Sequence, residues 1–327
     1  NHSMLIILEE ARKCVEKVIE HGLVGGDWMK QVRWIDDQIR KVKQASGPFP
    51  AFAEALRAIK VDYAYLIEQD LRDNGFCDVK GNPWEAFEKL MKGEVQLPKV
   101  SYSKILPTYK TIWRTISKQE KEVLELLSRF EINEDSMTGW LNAPDDYDLL
   151  LHNPYLVAEE DTAVTTEMID LGAFADAEIQ GEYVPQKPSR VETELDERRI
   201  RSLVVQALTE ALQEGDTLLS ANELEEYVDE NLKKQDLHLP RNFFVANKAF
   251  FEEKLAFVPS EKSFALQLKD YNEEEKYLTK IFKARSAKNV KSPTHEDWGK
   301  IVRTSIPNYN ANNEISRTAI EEQQKAL

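Results

Sequence analysis

Cysteine is nearly missing from this sequence, with only Cys14 and Cys77 in 327 residues and no C-x-x-C pair. That excludes a disulfide framework and a cysteine-based zinc site, and it fits a reducing, cytoplasmic compartment. Histidine is scarce as well. The five residues His2, His21, His152, His238 and His295 form neither H-E-x-x-H nor a cluster with carboxylates at ligand spacing, so no metal site is expected. No apolar run approaches the ~18 residues of a membrane span, and the first residues lack the pattern of a secretory leader, so no membrane partner is expected. Asn1-His2-Ser3 ahead of Met4 reads as a vector remnant and is left out of the fold.

Catalytic signatures are missing too. There is no G-x-S-x-G and no G-x-x-x-x-G-K-[ST]; the sole Gly-Lys pair, Gly299-Lys300, lacks the earlier glycine that lets backbone amides wrap a phosphate. Acidic pairs such as Asp145-Asp146 and Glu159-Glu160-Asp161 stand beside helix starts, where carboxylates ordinarily cap or face solvent. No catalytic residue is assigned, no cofactor is expected in this chain, and the chain is read as not an enzyme.

What the sequence does hold is core material under a charged surface: 42% hydrophobic and 31% charged residues, enough for two or three units. Its net charge of -15 argues against a surface coated for phosphate. One stretch runs the other way, with Lys276, Lys280, Lys283, Arg285, Lys288, Lys291, Lys300 and Arg303 set against Glu296 and Asp297. Lys276, Lys280 and Lys283 recur at helical spacing and can track a strand of phosphates, although Glu273 to Glu275 one turn earlier also fit an ordinary solvated helix.

Apolar periodicity predicts helices over 4–21, 27–44, 51–59, 63–72 and 83–91, followed by an extended segment over 97–107. Residues 1–115 form a helical N-terminal domain on this reading. Ser117-Lys118-Gln119-Glu120 is a capping box opening a helix to Arg129, and short helices follow at 133–141, 144–151, 153 onward and 162–171. With an irregular connector over 172–192, these make a second region, 116–192, of degenerate helix-hairpin-helix character. From 196 to 268 the order is an amphipathic helix to Glu214 closed by Gly215, a short strand at 217–219, a helix from Ser220 to Lys234, a helix over 241–255 and a hairpin around 257–268. That order makes 193–270 a winged-helix-like domain in a mainly α fold. In such a domain, Arg241 and Lys248 of the third helix are candidates for DNA contact, although a protein-protein role fits this acidic segment somewhat better. A charged helix over 271–288 and a last helix over 315–327 complete the final region, 271–327.

Several landmarks, taken in order, resemble the region that precedes the motor in RecD-like superfamily 1 ATP-dependent DNA helicases. They are Leu151-His152-Asn153-Pro154-Tyr155-Leu156-Val157-Ala158-Glu159-Glu160, then Asp196-Glu197-Arg198-Arg199-Ile200-Arg201, then Glu214-Gly215-Asp216-Thr217-Leu218-Leu219-Ser220, and finally Glu322-Gln323-Gln324-Lys325-Ala326-Leu327. The resemblance covers roughly residues 117–327. It implies a non-catalytic accessory region that guides DNA to a downstream motor domain of the same polypeptide or packs on that motor to regulate it, with ATP and Mg belonging to the motor and weak DNA contact by this part. It also implies that Gln323 lies near the nucleotide in the parent protein. One departure is clear: where the family has a glycine-containing hairpin that approaches DNA phosphate, Asp161 to Met168 has no glycine. The rival expectation is a helical protein-protein scaffold that never touches DNA.

Overall fold

The structure is a computed structural model that describes residues 2–22, 28–44, 47–78, 81–97, 101–174, 182–232, 236–260 and 263–287. The chain divides into two compact units, Asn1–Asp270 and Tyr271–Leu327. The described residues are mainly helical, with one small antiparallel sheet. No helix among them is long and apolar enough to cross a membrane.

The first unit opens with a helical pair, α1 (His2–Glu20) and α2 (Trp28–Gln44). Their short link makes them antiparallel, and an Arg12–Asp36 ion pair at 2.5 Å joins their middles. Val32, Ile35 and Ile39 of α2 are buried.

Among the described residues, nine helices then surround the first core. They are α3 (Phe52–Ala58), α4 (Ala64–Asp73), α5 (Pro83–Lys92), α6 (Leu106–Thr115), α7 (Lys118–Leu127), α8 (Glu134–Leu141), α9 (Tyr147–His152), α10 (Leu156–Glu160) and α11 (Thr166–Ala173), with a 3-10 turn at Pro144–Asp146. Their boundaries follow from local chemistry. Asn82 accepts a hydrogen bond from the Trp84 amide while Pro83 fills the first turn, and Gly93 closes α5 at φ 82°, a left-handed conformation that costs glycine nothing. Ser117 caps α7 through the Glu120 amide at 3.1 Å, and Asn133 caps α8 through the Ser136 amide at 2.9 Å. Aromatic packing fills the centre: Trp84 stacks on Trp113 at 5.8 Å, and Phe52 and Phe87 meet these rings edge-on. The buried Trp84 indole donates to the Ser128 hydroxyl at 2.8 Å, so its N–H is satisfied inside the cluster.

Two expectations are corrected in this core. The segment 97–107 was expected to be extended, yet Leu106 already begins α6, because Pro107 occupies the first turn, where a missing N–H is no loss. The connector expected from Gly172 begins later, since Gly172 belongs to α11. A Cβ there would lie 2.6 Å from both the Arg129 carbonyl oxygen and the Phe130 ring, so only glycine permits this approach. The buried cluster runs from Phe49 to Val191 and crosses residue 115, so the helical block and the short-helix region share one core.

A second cluster, from Ile200 to Leu266, forms around α12 (Glu197–Glu214), β1 (Leu218–Ser220), α13 (Ala221–Glu230), α14 (Phe243–Ala246), α15 (Lys248–Phe251), β2 (Leu255–Pro259) and β3 (Phe264–Leu268). Ile200, Leu203, Val204, Ala207 and Leu208 of α12 are its buried stripe, and Gly215 ends the helix at φ 101°. Ser220 and Glu223 complete both halves of a capping box at the start of α13. The strands order as β1-β3-β2, all antiparallel, with Leu219 opposite Leu266 and Phe257 opposite Leu266 on the other side. The Lys254 carbonyl accepts from the Lys269 amide and the Ser260 amide donates to the Ser263 carbonyl, the residues flanking β3, so the alternate residues Leu255, Phe257 and Pro259 turn their backbone outward. The single helix expected over 241–255 is two short helical turns. Asn247 caps the first by donating from its side chain to the Phe243 carbonyl at 3.1 Å, and Leu255 has already entered β2. The helix expected to reach Lys234 ends at Glu230.

The charged helix α16 (Lys269–Ala287) starts two residues earlier than its expected first residue. The helix expected over 315–327 lies outside the described residues.

Candidate nucleic-acid interface

The arginines at the start of α12 decide how the two cores of the first unit join. Arg198 stays at the rim, where its guanidinium meets Asp196 at 2.7 Å and donates to the carbonyls of His152, Pro188 and Arg190. Arg199 is buried. It forks onto Asp170 at 3.0 Å, and Asp170 also accepts the Tyr155 hydroxyl at 2.7 Å; a further Arg199 N–H donates to the Asn231 carbonyl. Arg201 is 1% exposed and grips the buried side chain of Glu159 through two hydrogen bonds of 3.0 and 3.1 Å. Its remaining donors reach Glu253 and the Phe250 carbonyl, and the guanidinium sits 3.8 Å from the Phe250 ring centroid. The seam is completed by Thr166, whose hydroxyl bonds Ser202 at 2.8 Å.

Electrostatics follow the burial. Desolvation pushes the Glu159 carboxyl above its ordinary range, and the adjacent Arg201 charge pulls it back. Burial first, then the Asp170 charge, holds the Tyr155 phenol well above its usual value, so it stays a donor. Two landmarks that are far apart in sequence, the Asn153-Pro154-Tyr155 turn and the Asp196–Arg201 segment, therefore meet in one hydrogen-bonded layer. Sequence reasoning singled out the segment but missed the roles of its arginines; the available signal was three cations within four residues on a helix whose apolar stripe is otherwise continuous.

The expected DNA-contact residues are dispersed. Arg241 is exposed in the turn before α14, and its charge acts on Glu225, whose carboxyl is raised by burial and lowered again by Arg241. Lys248 pairs with Glu252 at 3.4 Å and lies 5.2 Å from the Phe257 ring centroid. Lys254 reaches across to Glu160. Residues 196–268 carry fourteen acidic and nine basic side chains, and the arginines of the seam account for three of the nine. In the second unit, Lys276, Lys280 and Lys283 are exposed and share one face of α16. Arg285 is exposed on the opposite side, about 160° round from Lys283 at 3.6 residues per turn. Exposed Tyr277, Leu278 and Phe282 occupy that other side. Lys288, Lys291 and Gln323 lie outside the described residues.

The turn after the Asn153-Pro154-Tyr155 landmark is closed on itself. Asp161 accepts from the Ala163 amide at 2.9 Å and from the Ser136 hydroxyl, while the Thr165 hydroxyl accepts from the Met168 amide. Amides used this way, beside Glu159, Glu160 and Asp161, do not make a phosphate cradle. A cleft of about 340 Å³ between α7 and residues 185–189 contains Arg129, but that guanidinium is committed to the Tyr183 carbonyl at 2.8 Å and to the Phe49 ring. Among the described residues, no group of His, Cys, Asp and Glu is placed to hold a metal ion. No protein-family model, curated protein or solved structure matches the chain.

Proposed function

We propose that this chain is a non-catalytic accessory region of a RecD-like, ATP-driven DNA helicase. It packs against the motor domain of the same polypeptide and regulates it, and ATP and Mg belong to that motor. The supporting observation is the seam: the landmarks that carry the resemblance, Asn153 to Glu160 and Asp196 to Arg201, are joined directly through Glu159 and Arg201 and bridged by Asp170, which bonds both Tyr155 and Arg199. On this reading they set the mutual placement of a helix-hairpin-helix-like region and a winged-helix-like domain. DNA contact falls to α16, and the winged-helix-like domain serves protein contact, because its exposed Arg241 and Lys248 act on Glu225 and Glu252.

Labelled single-stranded DNA, titrated with the purified chain at low and at physiological salt, tests the DNA part. The expected result is binding in the non-specific range of ~10⁻⁴ to 10⁻⁶ M, steeply weakened by salt and abolished by reversing Lys276, Lys280 and Lys283 to Glu. Binding that survives the triple reversal sinks the α16 assignment. A complete lack of binding at low salt favours the second reading, a helical protein-protein scaffold, which the acidic balance of residues 196–268 supports. The accessory reading itself fails if the purified chain turns over ATP.

A further inference from the structure

The apolar surface of α1 is wider than α2 covers. Met4, Leu8, Ala11, Val15 and Val18 recur at spacings of four and three, the seam expected of a helix packed on one neighbour. A second seam runs beside it with the same spacing: Ile7, Ala11, Cys14 and Val18. A helix with two adjacent seams is built for more than one helical neighbour. The Arg12–Asp36 pair marks one border of the contact with α2; the seams share Ala11 and Val18, and Ile7 and Cys14 lie beyond the opposite border. There Ile7 is 67% exposed and Cys14 is exposed, while Ala11 and Val18 are only half-buried. Along α2, Gln31, Ile35, Gln38 and Val42 repeat the spacing on the matching side, with Ile35 buried, Gln38 and Val42 half-buried and Gln31 exposed. The pair therefore leaves Ile7 and Cys14 uncovered along one side, bordered by the half-buried Ala11, Val18, Gln38 and Val42.

Charge selects the occupant. Glu10 and Lys17 are seven residues apart on the outer border of the second seam, so they hold the same heptad position on either side of its centre. When two copies of α1 run antiparallel about a two-fold axis, each Glu10 falls opposite the other copy's Lys17, and both pairs form at once, as an isologous contact requires. Small residues at Ala11 and Cys14 let the helices approach at mid-seam. In the single chain, Glu10 meets Lys13 at 3.2 Å, with both side chains about two-thirds exposed, a pair weak enough to exchange.

We infer that α1 and α2 dock on the same pair of a second copy, forming an antiparallel four-helix bundle with Cys14 close to its two-fold axis. Light scattering and sedimentation of the full 327-residue chain should then show a concentration-dependent dimer. Ile7→Glu should raise its dissociation constant about 100-fold or more, the scale for forcing an unpaired charge into an apolar seam. Glu10→Lys alone should weaken the dimer, and adding Lys17→Glu should restore it. A short bis-maleimide should link two copies through Cys14, and Cys14→Ser should abolish the link. Circular dichroism of each variant separates lost association from lost folding. A chain that stays monomeric at high concentration overturns the inference, as does a dimer indifferent to Ile7→Glu or to the charge exchange.

Discussion

The arginines of α12 and the lysines of α16 carry the same charge and meet opposite fates. Arg199 and Arg201 are buried, and each of their guanidinium nitrogens bonds a carboxylate or a carbonyl, whereas Lys276, Lys280 and Lys283 remain exposed on one face. The guanidinium is planar, weakly hydrated and able to satisfy several acceptors at once, which suits a buried joint; the ammonium is strongly hydrated and stays at the surface. A count of basic residues therefore says little about nucleic-acid binding here, because part of the count is structural.

The largest effect should come from the buried side. Arg201→Ala leaves the buried side chain of Glu159 without this partner and should cost about 3 to 5 kcal/mol in urea denaturation. Arg201→Met combined with Glu159→Leu should recover most of that loss, since neither charge then has to be desolvated. A single-mutant loss under ~1 kcal/mol would mean that water reaches Glu159 and that the contrast with α16 is overstated. Next comes Leu208→Ala, at 1% exposure in the second core, with an expected loss of about 2 to 5 kcal/mol. A loss below ~0.5 kcal/mol would show the α12 register to be wrong. Ser220→Ala removes one half of the capping box of α13 and should cost about 1 kcal/mol, read as a shifted denaturation midpoint at constant slope. Smallest is the triple change of Lys276, Lys280 and Lys283 to Ala, expected to stay within about 0.5 kcal/mol of the parent stability. If the triple variant unfolds markedly earlier, the lysines are structural after all.

Legibility followed sequence distance. The caps at Ser117, Asn133 and Ser220, the stripe of α12 and the hairpin of β2 and β3 were readable, since each depends on residues a few positions apart. α6 was not, because Pro107 reads as a breaker unless its place in the first turn is known. Nor was the division between α14 and α15, where one Asn247 side chain competes with the helix for a carbonyl. The seam was the least readable feature. Arg199 meets Asp170 across 29 positions and Arg201 meets Glu159 across 42, and no local pattern encodes such pairings. Of the expected contact residues, the α16 lysines share a face as their spacing implies and Glu252 stands one helical turn from Lys248, whereas the action of Arg241 on Glu225 joins two separate elements and has no local signature.

One small feature bears on how the protein behaves in concentrated solution. β2 hydrogen-bonds to β3 on one side and turns Leu255, Phe257 and Pro259 to the other, so its outer edge is a template on which an extended segment of another molecule could grow. Pro259 has no N–H to offer, so the template is interrupted at its last outward position. Replacing that ring with an ordinary residue would lengthen the run of available donors and acceptors. The colloidal lifetime of a stored sample thus depends in part on one proline that takes part in neither core.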